Sequence, residues 1–457
     1  MKIFPGKHII FGVLLLIVDV TIYAQPVALN KEFHQKRREQ LRAKMPDNSV
    51  AIFVSNPKQT RSADTEHRYK QNTDLYYFSG ILDANVILFV FKNEVTIEGQ
   101  KTNDLILISP KNAEEELWHG IMLGEQGAKE KSGVNLVIPV EKYAKTNSVL
   151  TQMSRIFASL PQFEQNESNE LLIQFTTELS ARYKVETESI EDWLHALREI
   201  KTPEEVAILK HAVIISGQGH IEAMKSIQPG ISERQIQGVH EFVHRTMGAE
   251  DAGYLPIVGA GNNGCILHYC TNDKQQIKDR LILMDVGAEY MSYTGDITRT
   301  VPTKGFFNQE EKLVYDLVLK ALEEGIKAAK KGSTFKDIDQ VCRKTINDGL
   351  VQLGITKAGE NHHYFPHGVS HHMGLDVHDR GNYKTLKPGM VITVEPGIYI
   401  PENSNADKKW WNIAVRIEDN ILITEDGIEN LSAFVPKTTE AIETLMKERG
   451  ILQKYQE

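Results

Sequence analysis

The sequence predicts a mixed α/β (α+β) protein in two unlike parts. A small amino-terminal α/β unit precedes a larger part made of two related halves about an internal pseudo-two-fold. Three observations predict this. Short apolar runs follow a polar helical stretch in the first 200 residues, a strong helix-start signal opens a new segment near 201, and beyond it a pattern of helices then strands, each ending in a carboxylate and a glycine, occurs twice. The length of 457 residues is consistent with two or three domains at about 100–200 residues each. With 41% apolar and 25% charged residues the composition is that of a globular body, not of a collagen-like, disordered or polytopic membrane chain.

Residues 1–24 run in the order charged, apolar, small: Lys2 and Lys7, then Ile9 to Val18, then Ala24 before Gln25. That order is the pattern of a secretory signal peptide. A spanning helix needs about 18–20 unbroken apolar residues, and Asp19 interrupts the run. The chain is therefore expected to be exported, periplasmic or secreted, with cleavage near Ala24 and no membrane attachment afterwards. A lipoprotein would carry a cysteine just past the apolar run, and the first cysteine is Cys265.

The first domain is expected over 25–200. A polar helix, Lys31 to Lys44, leads into apolar strands at Val50–Val54, Val86–Val90 and Leu105–Ile108. At Thr202-Pro203-Glu204-Glu205 a cap, a proline at the first helical position and a capping-box glutamate coincide, so a helix and a second domain, 201–457, start there. Within it Gln228-Pro-Gly-Ile-Ser232 and Lys330-Lys-Gly-Ser-Thr334 each open an amphipathic helix, and Leu281-Ile-Leu-Met-Asp285-Val-Gly287 is answered by Met390-Val-Ile-Thr-Val-Glu395-Pro-Gly397. Two related halves would set their carboxylates facing one another, as in a cradle for metal.

Charge and cysteine count narrow the chemistry. Lys+Arg 52 against Asp+Glu 61 leaves a net charge of -9, which gives no bulk attraction to nucleic acid or anionic lipid. Three cysteines without a CxxC spacing make neither a disulfide framework nor a four-thiolate site. A metal must then be held by histidine and carboxylate. Asp285, Glu395 and Glu418 each follow an apolar strand, where an unpaired buried carboxylate is costly. Gly295 and the polar stretch before it suit a hairpin that returns Asp296 beside Asp285. Separate ion pairs with Arg299, Arg380 and Arg416 would be the alternative, but four such carboxylates outnumber those arginines. Six of the 16 histidines fall between His362 and His378, and His268 ends the glycine-rich loop that starts at Gly259. His367 and His371 have i, i+4 spacing, yet Pro366, Gly368 and the lack of a glutamate after His367 speak for a loop or strand over a zinc-binding helix. The glycines fit no phosphate-binding spacing; they let the backbone turn so that His268 approaches the site.

Taken together, Asp285-Val-Gly, Gly295-Asp296-Ile-Thr-Arg-Thr, His367-Gly-Val-Ser-His371, Asp376-Val-His378-Asp, Val394-Glu395-Pro-Gly and Arg416-Ile-Glu418-Asp resemble the aminopeptidase P branch of the "pita-bread" metallopeptidases. Thr60-Arg-Ser-Ala-Asp64 and Gln71-Asn-Thr-Asp74-Leu-Tyr-Tyr-Phe-Ser-Gly80 resemble that branch's creatinase-type amino-terminal domain. The resemblance implies a Xaa-Pro aminopeptidase that removes one residue from peptides with proline second, using two divalent ions to generate hydroxide. It implies Asp285, Asp296, His371, Glu395 and Glu418 as ligands, with Asp296 and Glu418 bridging and Glu395 also shuttling a proton. His268 and His378 would hydrogen-bond the scissile amide and the tetrahedral intermediate, and Arg416 would orient a carboxylate, Asp285 or one from substrate. His367 and Tyr399 would wall the proline pocket, and Trp118 would close over substrate. Oxygen-rich ligation favours manganese over zinc or cobalt. The alternatives are a Xaa-Pro dipeptidase, with Arg416 or Arg380 receiving the free carboxylate, and, more remotely, a non-catalytic peptide-binding protein on the same fold. A homo-oligomer, dimer or tetramer, is the expected assembly.

Overall fold

A computed structural model describes residues 28–161, 170–278 and 280–455; the leader expected over 1–24 lies outside them. The polar helix Lys31–Lys44 begins at the cap Asn30, whose side chain accepts from the Phe33 N–H. The six-stranded mixed sheet behind it runs, edge to edge, Leu136–Pro139, Gln100–Ile108, Ile87–Ile97, Ser49–Val54, Arg155–Ser159 and Val185–Glu186. All six residues of the central strand Ser49–Val54 are buried, which is why it reads as an unbroken apolar run. Its Ile52 face packs with Phe89, Leu107 and Phe175, its Phe53 face with Leu41, Phe78 and Ile106.

The helix expected at Thr202 is Pro203–Ser226, closed by a reciprocal capping box between Thr202 and Glu205. It packs on Glu233–Thr246, and an antiparallel sheet follows in the order Ile257–Ala260, Leu281–Asp285, Thr298–Pro302. The second half repeats the plan. Helices Gln309–Ala328 and Phe335–Gln352 pack together ahead of a sheet ordered Val391–Val394, Asp419–Ile423, Ile428–Asn430. The correspondence reaches backbone detail: Ser232 and Thr334 both cap the second helix of their half with a capping box, and Gly230 and Gly332 precede them at φ 90 and 89°, a region that favours glycine.

The halves join along one seam. The Glu418 N–H donates to the Thr298 carbonyl at 3.1 Å, and the Thr300 hydroxyl donates to the Arg416 carbonyl at 3.0 Å. Between Asp285 and Thr298 the chain makes the expected hairpin, pairing Glu289 with Thr294 and Tyr290 with Tyr293. Its two turn residues, Met291 and Ser292, both have positive φ, 49 and 67°, the pattern of the turn whose twist matches a two-residue hairpin. The histidine-rich segment is extended, not helical. Met373 N–H donates to Val391 O, Thr393 N–H to His371 O and Glu395 N–H to Val369 O at 2.8–3.0 Å. Residues 369–373 thus lie beside the strand that carries Glu395. Among the described residues no helix is long and apolar enough to cross a membrane.

Candidate metal centre

The strand ends converge at the seam. Asp285 is the last residue of its strand, opposite Thr298, and Glu395 and Glu418 flank the paired Val394 and Asp419. Asp296, His371 and Glu418 each bring a ligand atom within 4.8 Å of the others. His371 Nε2 lies 3.3 Å from Asp296 Oδ2 and 3.6 Å from Glu395 Oε1. Its Nδ1 sits 3.0 Å from the His372 carbonyl, a contact that turns Nε2 toward the acids.

Two details test whether these residues fit a cation. Glu418 Oε1 is buried without a hydrogen-bond partner, although its other oxygen accepts from the Thr298 hydroxyl at 2.6 Å. The Tyr254 hydroxyl lies 2.6 Å from Asp285 Oδ1 and 2.7 Å from Asp296 Oδ1. One hydroxyl carries one proton and cannot donate to both. Each observation calls for positive charge among the carboxylates, so the donor set of four carboxylates and one imidazole fits divalent ions.

The electrostatics agree. Burial above all, with the neighbouring Asp285 charge, pushes the Asp296 carboxyl up. Burial together with the Asp296, Glu395 and Asp285 charges pushes Glu418 well up. Glu395 is raised by burial and by Asp296 and Asp285, with His371 and Arg416 opposing. His371 rises to about 9: burial works against it, but the hydrogen bond and charge of Asp296 and the charge of Glu395 prevail. Only Asp285 is lowered, because the Arg416 guanidinium outweighs its burial. These groups share too little positive charge, and protons make up the deficit unless a cation does.

Arg416 anchors a relay behind the acids. It donates to Asp285 Oδ2 at 2.6 Å and to the Tyr399 hydroxyl at 2.9 Å. The Tyr399 hydroxyl in turn lies 2.8 Å from His367 Nε2, and His367 Nδ1 lies 2.7 Å from the Gly368 carbonyl. Donation by Arg416, then Tyr399, then His367 satisfies every group in that chain.

One cavity of about 720 Å³ is lined by all five acids and imidazoles named as ligands and by His268, His367, His378 and Arg416. Two expected residues stand elsewhere. Tyr399 is buried, 3% exposed, behind the wall, where it holds His367. Trp118, on the short helix Ala113–His119, is 75% exposed and does not reach the cavity. The six clustered histidines also part company: His372 packs on Phe335 and Tyr383 and His362 bonds Asn347. Tyr254, Thr298 and the apolar wall residues Leu255, Leu267 and Val377 escaped sequence reasoning. A tyrosine that reaches across 31 and 42 residues to its partners leaves no local pattern; only the position of Thr298, two residues past Asp296, hints at it.

Residues 207–425 match the sequence profile described as "Metallopeptidase family M24", and residues 34–157 match "Aminopeptidase P, N-terminal domain". The chain is 36% identical over 442 residues to the Xaa-Pro aminopeptidase of Escherichia coli K12, covering 92% of this chain and 98% of that one. It is 32% identical to mouse Xaa-Pro aminopeptidase 3, covering 87% and 80%. Among solved structures it superposes on proline aminopeptidase P II from Yersinia pestis with a TM-score of 0.83 at 34% identity, covering 92% and 100%. It superposes on Escherichia coli aminopeptidase P with the inhibitor Pro-Leu at 0.81 and 33%, covering 92% and 99%. With the acid-and-imidazole centre at its seam and relatives aligned along nearly their whole length, the chain belongs to metallopeptidase family M24, in its aminopeptidase P branch.

Proposed function

We propose that this protein is a Xaa-Pro aminopeptidase, a hydrolase that removes the first residue of peptides whose second residue is proline. The observation that carries the reading is the convergence of Asp285, Asp296, His371, Glu395 and Glu418 on one cavity, with Glu418 Oε1 buried and unpaired. These five would hold two divalent ions, manganese first on the strength of four carboxylate donors beside one imidazole, with Asp296 and Glu418 as the residues that would serve both. When bound, the ions lower the pKa of a water and draw charge from the peptide carbonyl. Glu395 would take a proton from the attacking water and return it to the prolyl nitrogen as the amide C–N bond breaks, the water oxygen ending on the released carboxyl. Burial first, and then the neighbouring His371 and His268, lower His378 to about 4, so it works as a neutral imidazole donating to the substrate; His268 lines the same cavity and contacts the substrate beside it. Neutral His367, lowered to about 4 by burial and then by Arg416, is fixed by Tyr399 as a wall for the proline ring.

Tripeptides and longer peptides are the preferred substrates. A dipeptidase needs a cation free to receive a carboxylate next to proline. Arg416 is spent on Asp285 and Tyr399, and Arg380 bonds Asp74 and Glu191. Among the described residues lining the cavity no other arginine or lysine stands ready. Export after removal of residues 1–24 and a dimer or tetramer belong to the same reading; the exposed Leu117, Trp118 and Ile121 are apolar surface that association would cover. The test is kcat/KM for a Xaa-Pro dipeptide against the matching Xaa-Pro-Xaa, with manganese and with chelator. A manganese-dependent preference for the tripeptide is expected. Preference for the dipeptide would make the protein a prolidase, and equal cleavage of peptides without proline would overturn both readings.

A further inference from the structure

His378 lies in a short loop, Asp376-Val377-His378-Asp379, whose two flanking aspartates point away from the cavity toward one buried guanidinium. That guanidinium is Arg198, at the end of the helix Glu188–Arg198, with a side chain only 1% exposed. It donates to Asp376 Oδ2 at 2.9 Å and to Asp379 Oδ1. It also donates to Asp74 Oδ1 at 2.7 Å and to the Thr73 hydroxyl at 3.0 Å, both on the helix Thr73–Ser79 of the amino-terminal unit. The Thr73 hydroxyl itself donates to Asp376 Oδ2 at 2.9 Å. Lys201 closes the group, donating to Asp379 Oδ2 at 2.9 Å, and Arg380 meets Asp74 at 2.8 Å. Three carboxylates are matched by three cations.

We infer that Arg198 is a positioning residue for His378, holding both ends of its loop against the amino-terminal unit so that the imidazole keeps its place over the metal centre. The inference rests on the peptidase reading given above and adds the group that sets where His378 stands. The loop closes on itself through Asp379 N–H to His372 O at 2.9 Å and Gly374 N–H to Asp376 O at 3.1 Å. At Gly374 a Cβ would come within 2.0 Å of Asp379 Oδ2, so the backbone there is bare to let Asp379 reach its cations. The His378 ring sits 4.1 Å from the His371 ring. A planar fork that engages four oxygens on two segments fixes direction as well as charge, which a lysine cannot reproduce.

The test is steady-state kinetics of the full chain loaded with manganese, on whichever Xaa-Pro peptide the wild type cleaves, for Arg198→Met, Arg198→Lys, Asp376→Asn, His378→Ala and the double variant Arg198→Met/His378→Ala. Failure of the wild type to cleave such peptides would fault the peptidase reading, not this one. Expected are kcat losses of about tenfold or more for Arg198→Met and Arg198→Lys and a smaller loss for Asp376→Asn, whose side chain is 41% exposed and whose fold is therefore the safer. KM should stay within about twofold and the metal content at the wild-type value. In the His378→Ala background Arg198→Met should cost little more. Independent, multiplicative losses in the double variant, or a kcat unchanged in Asp376→Asn and Arg198→Lys alike, would overturn the inference, because a residue acting through His378 has nothing left to act on once that imidazole is gone.

Discussion

Glu418 shows at the scale of one residue why the centre asks for metal. Its Oε2 is held by Thr298, and its Oε1 is buried and bonded to nothing, so half of a carboxylate has been desolvated to no protein purpose. Glu418→Gln keeps the shape and removes the charge. Metal per chain is expected to fall below two by elemental analysis and peptidase activity to fall by at least 100-fold. In chelator the variant should melt at the wild-type temperature or above it, since the neutral amide avoids the cost of burying and protonating Glu418 beside the other acids. A variant that kept two ions and full rate would remove Glu418 from the bridging position. Tyr254 is the complementary case. Its hydroxyl touches Asp285 and Asp296 together, yet nothing near position 254 in the sequence announces it, because both partners arrive from distant strands.

Elements were more legible than contacts. The helix Pro203–Ser226 could be read from Thr202, Pro203 and Glu205 because a cap is a local device whose groups lie within one turn, and the structure has both reciprocal bonds, at 2.9 and 3.3 Å. Asp285 and Asp296 could be paired in advance because a hairpin is local too. What stayed hidden depends on long range: short strands such as Leu136–Pro139 and Arg155–Ser159, whose pairing is parallel and distant, the Arg198 network, and the placement of Trp118 away from the cavity. The long helix also serves the site, since Ser216 accepts from the Ala288 N–H at 2.9 Å just beyond Asp285. Thr202→Ala is expected to destabilise the protein by about 1 kcal/mol, lowering its melting midpoint by about 1–2 °C with kcat/KM unchanged. A midpoint equal to the wild type would mean that the cap contributes nothing beyond what tertiary packing already holds.

For the whole molecule, a buried trio on the first helix pair should carry a large share of the acid sensitivity. His220, His240 and His244 are 0–2% exposed, and five of their six ring nitrogens have no hydrogen-bond partner. Burial lowers His220 to about 3 and His244 to about 4 and holds His240 well below its ordinary value. The unfolded chain therefore binds more protons than the folded one once the pH drops below about 6.5. The stability they leave intact is fully present above that pH and drains away as the pH falls toward 4, at about 1.4 kcal/mol per pH unit for each histidine. Melting temperatures measured from pH 7.5 to 4.5 should fall along this window, and His244→Phe should flatten the fall; an identical slope in the variant would assign acid sensitivity elsewhere. The seam between the halves carries one more consequence, in the time order of synthesis. Asp285 and Asp296 belong to the first half, whereas Arg416 and Glu418, which complete their surroundings, come near the end of the chain. At about 5–20 residues per second a ribosome spends roughly 6–27 s between the two groups. Throughout that interval the first two acids have neither their arginine nor their shared ligands, so the metal centre can only assemble when translation is almost over.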